Sequence, residues 1–172
     1  MKSYRHILFA AAIATASASG ALVVTPAMAQ AQAVSLSSDV MVERPETAAD
    51  GSVKTVLKAP KDTIVTPGDK LVITLHYVNT GTAPAANFVA TNPLPGPVQF
   101  ISVKEDWADV SVDGGATFGK LADLKVGKVA AEGGDAVMQP AGPEDVTTVR
   151  WAFKEPIPAG AKGDLTFYGV VK

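Results

Sequence analysis

The sequence predicts an all-β fold: an antiparallel β-sandwich built as a single domain. Three observations carry this. Valine and other β-formers recur in short alternating runs, turn phrases return about every ten residues, and no helical apolar period survives three turns anywhere after the leader. The repetition has a simple cause. Each short strand must fold back to keep one face on a shared core.

The elements follow in order. Val34 to Val42 alternates, and Asp50-Gly51 is a tight-turn pair from which Val53 to Lys58 returns, giving an N-terminal hairpin. Ala59-Pro60 interrupts and Thr63-Ile64-Val65 resumes. Pro67-Gly68-Asp69 has turn chemistry, with proline presetting the first central φ and glycine accepting a positive second one. Leu71, Ile73, Leu75 and Tyr77 then alternate with Val72, Thr74, His76 and Val78, so both faces are partly apolar. Asn79-Thr80-Gly81 turns the chain and Asn87 to Thr91 returns. Pro93, Pro95 and Pro97 donate nothing to a ladder and mark a loop or sheet edge. Val98 to Val103 is the next strand. Val110-Ser111-Val112 and Thr117-Phe118 flank the hairpin turn Asp113-Gly114-Gly115. Leu121 to Ala131 reads as a helical turn followed by alternation, and Glu132 to Asp145 as a long loop. Val146 to Phe153 places Val149, Trp151 and Phe153 on one face. Leu165 to Val171 is the last strand. It is expected at an exposed sheet edge, with the Val34 to Val42 segment adding a strand that blocks one such edge.

The first residues stand apart. Lys2 and Arg5 precede an apolar, alanine-rich run from Ile7 to about Val24, and Ala27-Met28-Ala29 supplies a small-x-small cleavage pattern. Residues 1–29 therefore read as a signal peptide, residues 30–52 as an N-terminal strand with its hairpin turn, and residues 53–172 as the sandwich domain. Loss of Lys2 and Arg5 leaves 13 basic against 17 acidic side chains, a formal charge of −4. That mild acidity without a basic patch argues against nucleic acid as a partner. No second long apolar run is available to span a membrane. The chain has no cysteine, so stability is expected from one hydrophobic core rather than from disulfides.

The stretch from Thr66 to Pro95 carries a more specific pattern. Pro67-Gly68-Asp69, then Asn79-Thr80-Gly81, then an alanine-rich return and Thr91-Asn92-Pro93-Leu94-Pro95 resemble the bacterial conserved-repeat domain of surface and secreted proteins. Ser111 to Phe118, Val149 to Trp151 and Ile157 to Gly160 continue in the same order. The resemblance covers about Val53 to Val171 and implies an immunoglobulin-like sandwich with a non-catalytic role outside the cytoplasm. The sequence departs from that pattern at Asn92, where Asp is usual. It also has a single copy and no wall-anchoring motif, which argues against a long-stalk adhesin.

Few residues suggest chemistry. His76 is the lone histidine after the leader and has no nucleophile-elbow pattern to accompany it. Ser111-Val112-Asp113-Gly114-Gly115-Ala116-Thr117-Phe118 matches the Asp-box pattern, a hairpin in which Ser111 and Asp113 satisfy turn amides and Gly115 takes positive φ. Asp106, Asp109, Asp113, Asp123, Glu132 and Asp135 gather acids toward one end but lack the alternating spacing of a calcium loop. Trp107 is the aromatic best placed to meet a partner or stack on a sugar, and capping the core is its alternative role. A lysine–asparagine crosslink through Lys70 and Asn79, Asn87 or Asn92 is a further idea. The leading expectation is an exported, periplasmic or extracellular, non-enzymatic module without a cofactor. Its partner is another envelope or secreted protein, met through strand pairing. A carbohydrate- or calcium-binding module using residues 106–135 is the alternative.

Overall fold

A computed structural model describes residues 33–129 and 136–172. The expected signal peptide lies outside the described residues. So do Glu132 and Asp135. Among the described residues no helix is long and apolar enough to cross a membrane.

The chain from Ala33 onward belongs to one compact unit, whose described residues form ten strands: β1 (Val34–Thr47), β2 (Val53–Lys58), β3 (Lys70–Asn79), β4 (Val89–Pro93), β5 (Val98–Val103), β6 (Asp109–Ser111), β7 (Lys125–Val129), β8 (Ala136–Pro140), β9 (Thr148–Ala152) and β10 (Lys162–Val171). Every pairing is antiparallel. Three sheets result, ordered β2-β1-β3-β10-β5, β4-β9-β6 and β7-β8.

The two larger sheets share one buried cluster. Leu71, Ile73 and Leu75 of β3, Leu165 and Phe167 of β10, and Val98 and Phe100 of β5 enter it from one sheet. Ala90 of β4, Val110 of β6, and Val149 and Trp151 of β9 enter from the other. The two-residue period of the sequence is the cause: successive side chains of a strand point to opposite faces. In β3 Leu71, Ile73, Leu75 and Asn79 are buried and Tyr77 is half-buried on one face, while Val72, Thr74, His76 and Val78 are half-buried on the other.

Several expectations need correction. β10 is not an edge strand; it lies between β3 and β5, with Phe167 fully buried. The domain does not start at Val53 either. β1 runs through residues 34–47, pairs with β3 over Val34–Val42 and with β2 over Val42–Thr47, and puts Val34 and Val42 into the core. It covers the edge of β3, as a strand of the sheet rather than an added guard. Residues 136–140, expected in a loop, form β8 against β7. Main-chain pairing sustains that ladder although every β8 residue is exposed, including Val137 and Met138. Thr63-Ile64-Val65 is irregular, with Ile64 82% exposed.

The central place of β10 makes a prediction. Phe167→Ala removes a fully buried ring and should cost about 3–5 kcal/mol, with cavity formation adding to lost transfer energy. The neighbouring, half-buried Tyr168→Ala should cost distinctly less. Urea midpoints of the two variants test this, and equal small shifts would contradict a core role for the inward face of β10.

Candidate functional site

The turn residues singled out by sequence fall into three separate polar knots. The first is the Pro67-Gly68-Asp69 turn. Gly68 has φ of 90°, a conformation that costs glycine little. Asp69 Oδ2 accepts from Thr66 N–H at 2.7 Å, and the carboxylate takes a two-pronged contact from the Arg44 guanidinium, 2.6 Å on each arm. Arg44 also donates to the Ile64 carbonyl and to Thr63 Oγ1. Gly68 N–H donates to the Val171 carbonyl, and Val171 N–H to that of Asp69. The turn thereby fastens β1, the Thr63–Thr66 loop and the end of β10 together. Arg44 and then the Thr66 amide hold the Asp69 carboxyl far below its usual range.

The second knot is Asn79, fully buried at the end of β3. Its Nδ2 donates to the carbonyls of Ile157 at 2.8 Å, Ala83 at 3.0 Å and Pro158 at 3.1 Å, while Oδ1 accepts from Gly81 N–H at 3.0 Å. Its main chain bonds Ala161 and Gly160. Gly81 is forced by space: a Cβ there would meet the Ala33 Cβ at 2.5 Å.

The third knot is the hairpin between Val110 and Gly119, which bridge each other. Ser111 Oγ donates to Asp113 Oδ1 at 2.6 Å and accepts from Gly115 N–H at 2.8 Å. Asp113 accepts from the amides of Ala116 and Thr117 and from the Thr117 hydroxyl. These donors, Ser111 first, hold its carboxyl far below the usual range. Gly114 and Gly115 have φ of 76° and 95°. Phe118 packs beneath Gly115 and carries the Arg150 guanidinium 4.0 Å above its ring.

Trp107 is half-buried and meets Phe153 edge-on, with centroids 5.1 Å apart. Tyr77 and Phe88 flank the same Phe153 ring, so Trp107 closes an aromatic end of the core. The acids do not converge. Asp109 pairs with Lys120 and Arg150, Asp113 is held in its turn, and Asp106 and Asp123 are exposed. Among the described residues no group of three or more ligand-type side chains gathers. Lys70 and Asn79 occupy opposite ends of β3, about 30 Å apart at strand rise, too far for a bond between them. Three shallow surface depressions have volumes of roughly 230, 290 and 280 Å³. One lies against Arg44 and Asp69, and the other two border Ile101 and Ser102 of β5.

Sequence reading missed three features. Glu105 accepts from the buried Trp151 Nε1 at 3.0 Å and from Thr166 N–H at 3.1 Å. His76 Nδ1 lies 2.6 Å from Asp164 and its Nε2 lies 3.2 Å from Asp39, joining β10, β3 and β1 across the outer sheet face. Arg44 was hidden in a polar stretch. None has a local signal, because each partner arrives only through strand register or chain reversal. Compared with known proteins, the chain matches no family model, no curated protein and no solved structure.

Two predictions follow from this geometry. Asn79→Ala strands buried carbonyls and the Gly81 amide, so it should cost about 1–3 kcal/mol or more. Gly115→Val should cost about 1–3 kcal/mol through its positive φ. Chemical denaturation reads both, and unchanged midpoints would deny the knots a part in stability. His76 supplies a pH dependence. Asp164, then Asp39, raise its pKa above the ordinary 6.5. Its contribution is therefore full below pH 6.5 and is lost as pH rises through the raised value. The Tm gap between wild type and His76→Gln should narrow as pH rises from 6 to 9. Solvent screening at this 39% exposed side chain keeps the effect small. A gap that widens with pH would refute the charged pairing.

Proposed function

We propose that this chain is an exported, non-enzymatic module of immunoglobulin-like sandwich architecture, acting through protein interaction or as a structural element in the bacterial periplasm or cell envelope. One observation carries the non-catalytic part. The polar side chains that could supply chemistry are engaged in holding turns and ladders: Asp69 with Arg44, Asn79 with three carbonyls, Asp113 with its own hairpin and Asp109 with Lys120 and Arg150. A carboxylate or carboxamide so engaged is poorly placed to bind substrate or move a proton.

The likeness to the conserved-repeat domain gains support from contact in space. Asn79-Thr80-Gly81 and Ile157 to Gly160, distant in sequence, meet at the Asn79 carboxamide. The shared core of the five-stranded and three-stranded sheets supports the sandwich reading. Export rests on the basic start, the apolar run and Ala27-Met28-Ala29.

Expression of the whole gene product in a bacterial host tests this. Osmotic shock should release a protein whose intact mass begins at Gln30, and crosslinking in living cells should trap it on envelope proteins. Retention of Met1 in a membrane pellet would overturn export. Turnover of any substrate that disappears in His76→Ala would overturn the non-enzymatic reading.

A further inference from the structure

Residues of an antiparallel strand present their amide and carbonyl alternately to the two sides of the strand. Just before β1 the Ala33 carbonyl accepts from Thr80 N–H on the β3 side, just after it Ala48 N–H donates to the Ser52 carbonyl on the β2 side, and the register between them is unbroken. Odd-numbered residues therefore address β3, and even-numbered residues address the other side. β2 covers that other side only from Val42 to Thr47. Among the described residues no strand pairs with the outward main-chain groups of Val34, Leu36, Ser38 and Val40. Beside them Leu36 is 44% and Val40 37% exposed.

The other edges of the two larger sheets carry features that discourage pairing. β2 bears Lys54 and Lys58. β4 ends in Pro93, and β6 is three residues long. β5 follows Pro95 and Pro97, and its register with β10 is irregular at Tyr168–Gly169. The free run of β1 has no proline, no lysine and one charge, Asp39.

We propose that this edge pairs antiparallel with the same edge of a second copy, about a two-fold axis at Ser37. Only even residues can face even residues, because only they have free groups on this side. The register centred on Ser37 uses the whole free set: Val34 opposite Val40, and Leu36 opposite Ser38, in both directions. A register centred on Ser38 would drive Val34 into the place Lys58 holds beside Val42. One centred on Asp39 would set two carboxylates face to face. Centred on Ser37, Asp39 meets Ser35 of the other copy, a hydroxyl able to donate to it. An isologous contact of this kind closes as a dimer and does not run on into fibres. It joins two β1-containing sheets into one continuous sheet. The inference goes beyond the proposed function and holds in any compartment.

Sedimentation of the full chain at rising concentration should show the mass doubling. Leu36→Lys with Val40→Lys, both at exposed positions, should leave the circular dichroism and Tm near wild type and abolish the dimer. Cysteine placement reads the register, because the chain has no cysteine of its own and a single introduced thiol can form a disulfide only between chains. At Ser37 the two Cα atoms would lie about 4.5 Å apart, within disulfide reach. At Ser35 the copies are displaced by four residues, about 13 Å. Mild oxidation should therefore give a covalent dimer from Ser37→Cys and little from Ser35→Cys. A monomer at every concentration would overturn the proposal, including one whose edge is covered by the chain preceding Ala33. So would a dimer that survives the double lysine variant, or equal crosslinking from the two cysteines.

Discussion

The carboxamide of Asn79 is the contact on which one end of the molecule depends. A buried amide must satisfy its donors and its acceptor, and here both are satisfied by main chain. The partners come from the turn that follows β3 and from the Ile157–Gly160 turn preceding β10. Without Asn79, the two turns would present carbonyls to an apolar interior with nothing to receive them. The same residue anchors the main chain at the start of the β3–β10 ladder, through Ala161 and Gly160. Sheet register and turn geometry are thus fixed at one point, and β1 joins the same corner where Thr80 and Ala33 pair.

The opposite end is organised by charge rather than by a neutral amide. Arg44 reaches from β1 to Asp69, and planar two-pronged geometry suits a guanidinium and a carboxylate. Between these ends the interior is apolar, with Trp151, Phe167, Leu165, Val42 and Val149 fully enclosed. Trp151 needs a polar partner for its indole N–H, and Glu105 supplies it from the β5–β6 connection. The outer face of the five-stranded sheet carries the His76 pairings. Their contribution is lost as pH rises through the raised pKa of His76, whereas Asp69 and Asp113 contribute above the ordinary carboxylate value of 3.8 and lose that contribution as pH falls below it.

Local chemistry explains what was legible in the sequence. Asp50-Gly51, Pro67-Gly68 and Asp113-Gly114-Gly115 announced reversals because glycine supplies positive φ there. The alternation through Leu71, Ile73 and Leu75 announced a buried face. Ser111 and Asp113 were readable as turn residues because their partners lie within a few positions. Pairing order was not readable. Nothing in Leu165 to Val171 distinguishes an interior strand from an edge, since both bury one alternating face; only the neighbours β3 and β5 decide it. β8 was hidden for the converse reason. All its side chains are exposed, so it lacks the apolar alternation by which a strand is recognised. The roles of Asn79 and Trp107 depended on distant turns and rings and could not be fixed from spacing alone.

The course of β1 and β10 has a mechanical consequence. Both run antiparallel to β3, so Val34 lies beside Asn79 at one end of the sheet, while Val170 lies beside Lys70 at the other. A pull between Val34 and Val171 is directed along the strands. It loads the ladder bonds, which lie across the strands, together in shear instead of opening them one after another. The topology therefore gives a chain without disulfides an axis through its central sheet that resists tension.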